Sequence, residues 1–158
     1  MMGDMEFTMP RVTRQVLDDG GVRLSGAKTW FVFYRLRPGV ILVSAGGPDR
    51  DELGWAPMDE LREDLTRFAP IELFIDGADV SGVSPAASEK WTEWLGTNRT
   101  SIKSCSILVR SKFMHVTVQV AKLFSRTGEM IRVYLDPAAF EEAIARAAPG
   151  FARLPPRQ

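Results

Sequence analysis

Apolar residues along this chain switch between two spacings, the short alternation of strands and the three-to-four-residue period of helices. From Val22 the pattern is that of β structure. Lys28 to Arg35 is dense in aromatic and branched residues, which suit a pleated, half-buried surface. Arg37-Pro38-Gly39 turns the chain and Val40-Ile41-Leu42-Val43 follows, so the two runs predict an antiparallel hairpin. Gly46-Gly47-Pro48 stops the second strand. Helical spacing then begins at Pro57, with Leu61, Leu65 and Phe68 on one face and Pro70 as a terminator.

The rest of the chain alternates strand and helix. Ile71 to Asp76 predicts a short strand ending in an acid, and Gly77 to Val83 a loop. Ser84-Pro85 places a capping hydroxyl before a proline at the first helical position. The helix it opens carries Ala87, Trp91, Trp94 and Leu95 on one face. Cys105 to Val109 predicts a buried central strand. A helix from Ser111 to Gly128 shows Phe113, Val116, Val120, Leu123 and Phe124 on one side. Met130 to Leu135 predicts the last strand. Asp136-Pro137 repeats the cap-plus-proline device before a helix bearing Phe140, Ala143, Ile144 and Ala147.

These elements predict an α/β fold with a mixed five-stranded sheet in the order β-β-α-β-α-β-α-β-α. One tight turn followed by helical crossovers implies an antiparallel hairpin attached to parallel strands. Residues 22–150 read as one domain. Residues 1–21 read as an N-terminal arm with a short extended stretch near Val12 to Val16, and 151–158 as a tail. Within the predicted elements, Phe74, Trp91, Ile107, Val109 and Val133 are expected to be buried.

Composition narrows the function classes. The chain has 158 residues, 45% hydrophobic and 25% charged, an ordinary globular balance. Twenty basic and twenty acidic residues cancel, leaving no global field to draw nucleic acid. Residues 51–80 are nonetheless strongly acidic and 81–136 mildly basic, which reads either as surfaces of different sign or as the solvated faces of ordinary helices. With one cysteine, an intramolecular disulfide is impossible and a reducing compartment is expected. The first residues lack a basic start and apolar run, and no apolar stretch approaches a membrane span. The expected location is the cytoplasm.

Convergent catalytic chemistry is sparse. Cys105 falls in a predicted buried strand, where thiols are inert. His115, the sole histidine, falls in the first turn of a helix. Together they are too few for a histidine/cysteine metal centre, and no metal or cofactor is expected. Gly46-Gly47-Pro48 lacks the phosphate-cradling pattern, and no nucleophile elbow occurs. Asp76 and Asp79 lie beyond a strand's carboxyl end, where α/β sheets place ligands. Turn-forming side chains explain them equally well. Trp91 and Trp94 suit either core or interface. Arg99, Lys103, Arg110 and Lys112 read as scattered surface charge.

The element order over residues 22–148 and the segment Ile71-Glu72-Leu73-Phe74-Ile75-Asp76-Gly77-Ala78-Asp79-Val80-Ser81-Gly82-Val83-Ser84 resemble the STAS and anti-sigma-factor-antagonist superfamily, with its lipid-binding relatives of the SEC14 type. Many STAS domains end a strand in Asp and open the next helix with Asp-Ser-Ser-Gly, whose second serine a partner kinase phosphorylates. Asp79-Val80-Ser81-Gly82 matches that motif except at its first serine. The motif register marks Ser81, whereas the spacing from Asp76 marks Ser84.

The resemblance implies a non-catalytic, bacterial signalling module. It would dock a protein partner through a loop containing Asp76, Asp79 and Gly82, switched by phosphorylation at Ser81 or Ser84. The alternative is a carrier of a small apolar ligand or lipid, with Phe113, Val116, Val120, Leu123, Phe124 and Phe140 lining a cavity. Self-association is compatible with either reading.

Overall fold

The computed structural model describes residues 12–111 and 128–150. Seven strands form one sheet: β1 (Thr13–Val16), β2 (Val22–Ser25), β3 (Trp30–Arg37), β4 (Val40–Asp49), β5 (Ile71–Val83), β6 (Ile102–Leu108) and β7 (Ile131–Tyr134). They lie side by side in chain order. The first three pairings are antiparallel and the last three parallel. Short turns can only reverse a strand, whereas the connections from β4 to β5 and from β5 to β6 carry helices and return the chain in the same direction. Gly39, at φ +84°, makes the sharpest of these turns possible, with Phe68 O 3.3 Å from where a Cβ would stand.

The described helices are α1 (Ala56–Glu60), α2 (Arg62–Phe68), α3 (Pro85–Thr97) and α4 (Pro137–Ala147). They cover both faces. Against one face, Met58, Leu61, Trp94 and Leu95 pack on Phe31, Phe33, Ile41, Leu73 and Cys105. Against the other, Phe140 and Ile144 of α4 pack on Val40, Leu42, Phe74 and Leu108. The run Val40 to Val43 is buried throughout, as a strand covered on both sides requires. Phe74 and Val109 are buried as the pattern predicts. Trp91, Ile107 and Val133 are half-buried and packed against the first core.

The sheet corrects the sequence reading in three places. It has seven strands rather than five, because the arm contributes β1, and β2 separates from the hairpin. All four residues of β1 are exposed, so no alternation of burial marked it. Gly77 to Val83 is strand rather than loop: it pairs with Gly46 to Asp49 across two register shifts. The helix expected over 57–68 breaks at Leu61, whose ψ is −2° and whose side chain is fully buried. Glu60 and Asp64, on either side of the break, both pair with Arg35 at 3.2 and 2.9 Å. The helix expected from Ser111 to Gly128 falls almost wholly outside the described residues.

Candidate functional site

The segment singled out by sequence lies where β5 runs into α3. Up to Asp76, β5 is paired on both sides. From Gly77 to Val83 it keeps β4, but no described strand pairs with its other edge. Asp76 Oδ1 accepts the Ala78 N–H at 3.1 Å, the self-bonded geometry expected of an aspartate at a turn. Arg110 donates to Asp79 at 3.4 Å. Ser81 is exposed, and a Cβ at Gly82 would meet nothing within 4 Å. Ser84 is the N-cap of α3, its hydroxyl accepting the Ala87 N–H at 3.2 Å, with Pro85 opening the helix. The five residues therefore follow one another along a single surface segment, without converging on a common point.

A second cluster, invisible to the sequence reading, adjoins this segment. The Ser84 N–H donates to Asp49 O at 2.8 Å, tying the start of α3 to the end of β4. Asp49 is buried. Burial pushes its carboxyl above the ordinary range, although hydrogen bonds from the Asp51 N–H and the Trp91 side chain oppose the rise. Lys90 bonds Asp51 Oδ2 at 2.7 Å and lies 5.6 Å from the centre of the exposed Trp55 ring. Asp51 has φ +67°, a backbone form that Asp tolerates better than most residues. The signal that could have found this cluster is the Asp-Arg-Asp turn after the glycine-proline stop.

Of the two residues considered for nucleophilic or metal chemistry, His115 lies outside the described residues. Cys105 is completely buried and its thiol is pushed up to about 12, so it carries no thiolate near neutrality. Among the described residues, no three His, Cys, Asp or Glu side chains are placed to hold a metal ion. Trp91 and Trp94 pack edge to face at 5.8 Å, with Trp91 also 6.0 Å from Phe31, which makes them core residues. Of the four basic residues noted, Arg110 joins Asp79, Arg99 is exposed in the turn before β6, Lys103 lines a different surface and Lys112 lies outside the described residues.

An apolar pocket of about 130 Å³ lies between α3 and the sheet, lined by Phe31, Ile75, Val80, Trp91, Ile107 and Ile131 among others. Lipid-sized ligands require more, since ligand pockets span roughly 300–1,000 Å³. Phe140 packs into the opposite core against Phe74 and Tyr134. The other five residues proposed to line a carrier cavity lie outside the described residues. Among the described residues, no helix is long and apolar enough to cross a membrane.

No protein-family model matches this sequence, and no curated protein matches it. Among solved structures, the chain is similar to the crystal structure of an uncharacterized protein of the DUF3478 family, with a SpoIIAA-like fold, from Shewanella loihica PV-4. That likeness has a TM-score of 0.51 at 14% identity and covers 89% of this chain and 98% of the other. At that identity the likeness speaks for architecture alone. The antiparallel strands leading into parallel strands and crossover helices thus form a SpoIIAA-like, and therefore STAS-like, fold.

Proposed function

We propose that this chain is a non-catalytic, cytoplasmic bacterial interaction module of the STAS-like kind. It docks a protein partner through the second half of β5 and the start of α3, under control of phosphorylation at Ser81 or Ser84. The observation that carries this reading is the segment Gly77–Ser84: one open strand edge among the described residues, an exposed Ser81, and a serine at the cap of α3. A strand edge offers unpaired N–H and C=O groups to a partner's backbone. A phosphate on Ser84 would add roughly −2 charge at the helix N-terminus. The first turn of α3 has no acidic residue to repel it.

The test begins with the tagged protein purified from its native cell, with phosphate sites mapped by mass spectrometry and bound proteins and small molecules identified. Hydrogen exchange on the complex rebuilt from purified components then gives the footprint. Protection concentrated on residues 77–84 and α3, lost in Ser81→Asp or Ser84→Asp, supports the proposal. A footprint elsewhere, or turnover of a co-purifying small molecule, overturns it. The 130 Å³ apolar pocket beside Trp91 favours a second reading, a carrier of a small apolar ligand. Extraction of a stoichiometric apolar compound from the purified protein would decide for it.

A further inference from the structure

On the face opposite α3, where β5, β6 and β7 begin, a pocket of about 230 Å³ separates the sheet from the last turns of α4. Its construction follows from the pleat. Glu72 pairs with Ser104, and Phe74 with Ser106, which in turn pairs with Arg132, so these side chains emerge in two rows on one face. Above them α4 presents the methyl groups of Ala143 and Ala147 beside Arg146, and the small alanines leave space that larger residues would fill. Arg37, Lys103, Arg132 and Arg146 also line the pocket, against the single carboxylate of Glu72.

The charges in this pocket are unbalanced. Arg37 lies 4.0 Å from Glu72 and donates to Ala147 O at 2.8 Å, which also quiets the partial negative charge at the end of α4. Lys103, Arg132 and Arg146 have no hydrogen bond or ion pair with any described residue. Elsewhere on the surface Arg35, Arg62 and Lys90 are each paired with a carboxylate. Three cations with no partner among the described residues stand around one concavity, where they repel one another and an anion between them would relieve the repulsion. Below them, Ser104 supplies a half-buried hydroxyl and Ser106 a buried one.

The geometry points to a binding site for a compact dianion of the phosphate type, held by Lys103, Arg132 and Arg146 with the serine hydroxyls beneath. Arginine forks match phosphate oxygens two at a time, and a doubly charged ligand balances the excess better than a single carboxylate. The site lies on the opposite face of the sheet from the start of α3, so it does not depend on the docking reading.

The experiment is a calorimetric and amide-NMR titration of the full chain at constant ionic strength. The probes are inorganic phosphate, glycerol 3-phosphate, sodium chloride, and phosphatidylcholine vesicles containing phosphatidic acid. Saturable binding of either soluble phosphate, with shifts on β6, β7 and the end of α4, is the expected result. The exposed double variant Lys103→Gln/Arg132→Gln, with its fold checked by circular dichroism, should lose about tenfold or more in affinity. The site is refuted if chloride produces the same shifts, if the double variant binds as the native chain does, or if the shifts gather elsewhere. Binding to vesicles alone refutes a soluble ligand.

Discussion

The Ser84 hydroxyl accepts the Ala87 N–H at 3.2 Å, while the Ser84 N–H donates to Asp49 O at 2.8 Å. One residue therefore both starts α3 and fastens it to the end of β4. Ser84→Ala should cost about 1 kcal/mol. Ser84→Asp keeps an acceptor oxygen and puts charge at the favourable end of the helix dipole, so it should equal or slightly exceed the native stability. Thermal melts of both variants check this, and equal destabilisation by the two would remove the cap from the account.

Glu52 clamps the turn between β2 and β3. Its carboxylate accepts the N–H groups of Ala27, Lys28 and Thr29 at 2.7, 3.2 and 3.2 Å, and a side chain on Gly26 would collide with it. The Ala27 and Lys28 bonds lead in holding its pKa below the ordinary carboxylate value. The unfolded chain therefore takes up a proton first as pH falls. Stability owed to this clamp is present above the unfolded value and is lost as pH drops through the folded one. Glu52→Gln should be less stable than the native chain at neutral pH, with the gap closing in acid. Urea melts across that range would show a pH-independent gap if the charge were irrelevant.

Asp49 has the opposite sign. Burial raises its pKa above the ordinary value, so over the window between the unfolded and folded values the folded chain holds a proton that the unfolded chain has released. Stability falls as pH rises through that window. Asp49→Asn removes the titration while keeping an acceptor for the Asp51 N–H. The native chain should gain stability relative to this variant on acidification through the window. Parallel pH slopes for the two proteins would contradict the burial argument.

Cys105 is fully buried, and its thiol is pushed up to about 12. Iodoacetamide should not label it in the native state, and labelling in rising urea should follow the unfolding curve measured by fluorescence. Stoichiometric labelling of the folded protein within minutes would show that the central strand opens locally.

The local devices were written in the sequence. Ser84-Pro85 and Asp136-Pro137 each announced a helix start, and both side chains accept a first-turn N–H as expected. A cap is formed within a few residues of itself, so its chemistry is complete in the local sequence. The hairpin of β3 and β4, the parallel strands and the burial of Cys105 were legible for a related reason: apolar runs bounded by turn residues report burial directly. The sequence pattern could not reveal that β1 joins the sheet or that β5 runs on to Val83. Thr13-Arg14-Gln15-Val16 buries nothing, and Gly77-Ala78-Asp79 has weak strand preference. Each is strand because a neighbour supplies its hydrogen bonds, β2 across a short turn in one case and the sequence-distant Gly46 to Asp49 in the other. The same holds for the sites. Glu52 meets Ala27 across 25 positions, and Arg37 meets Ala147 across 110. Such meetings depend on register and crossover, which a linear pattern does not contain, so only the folded sheet could gather Lys103, Arg132 and Arg146 around one pocket.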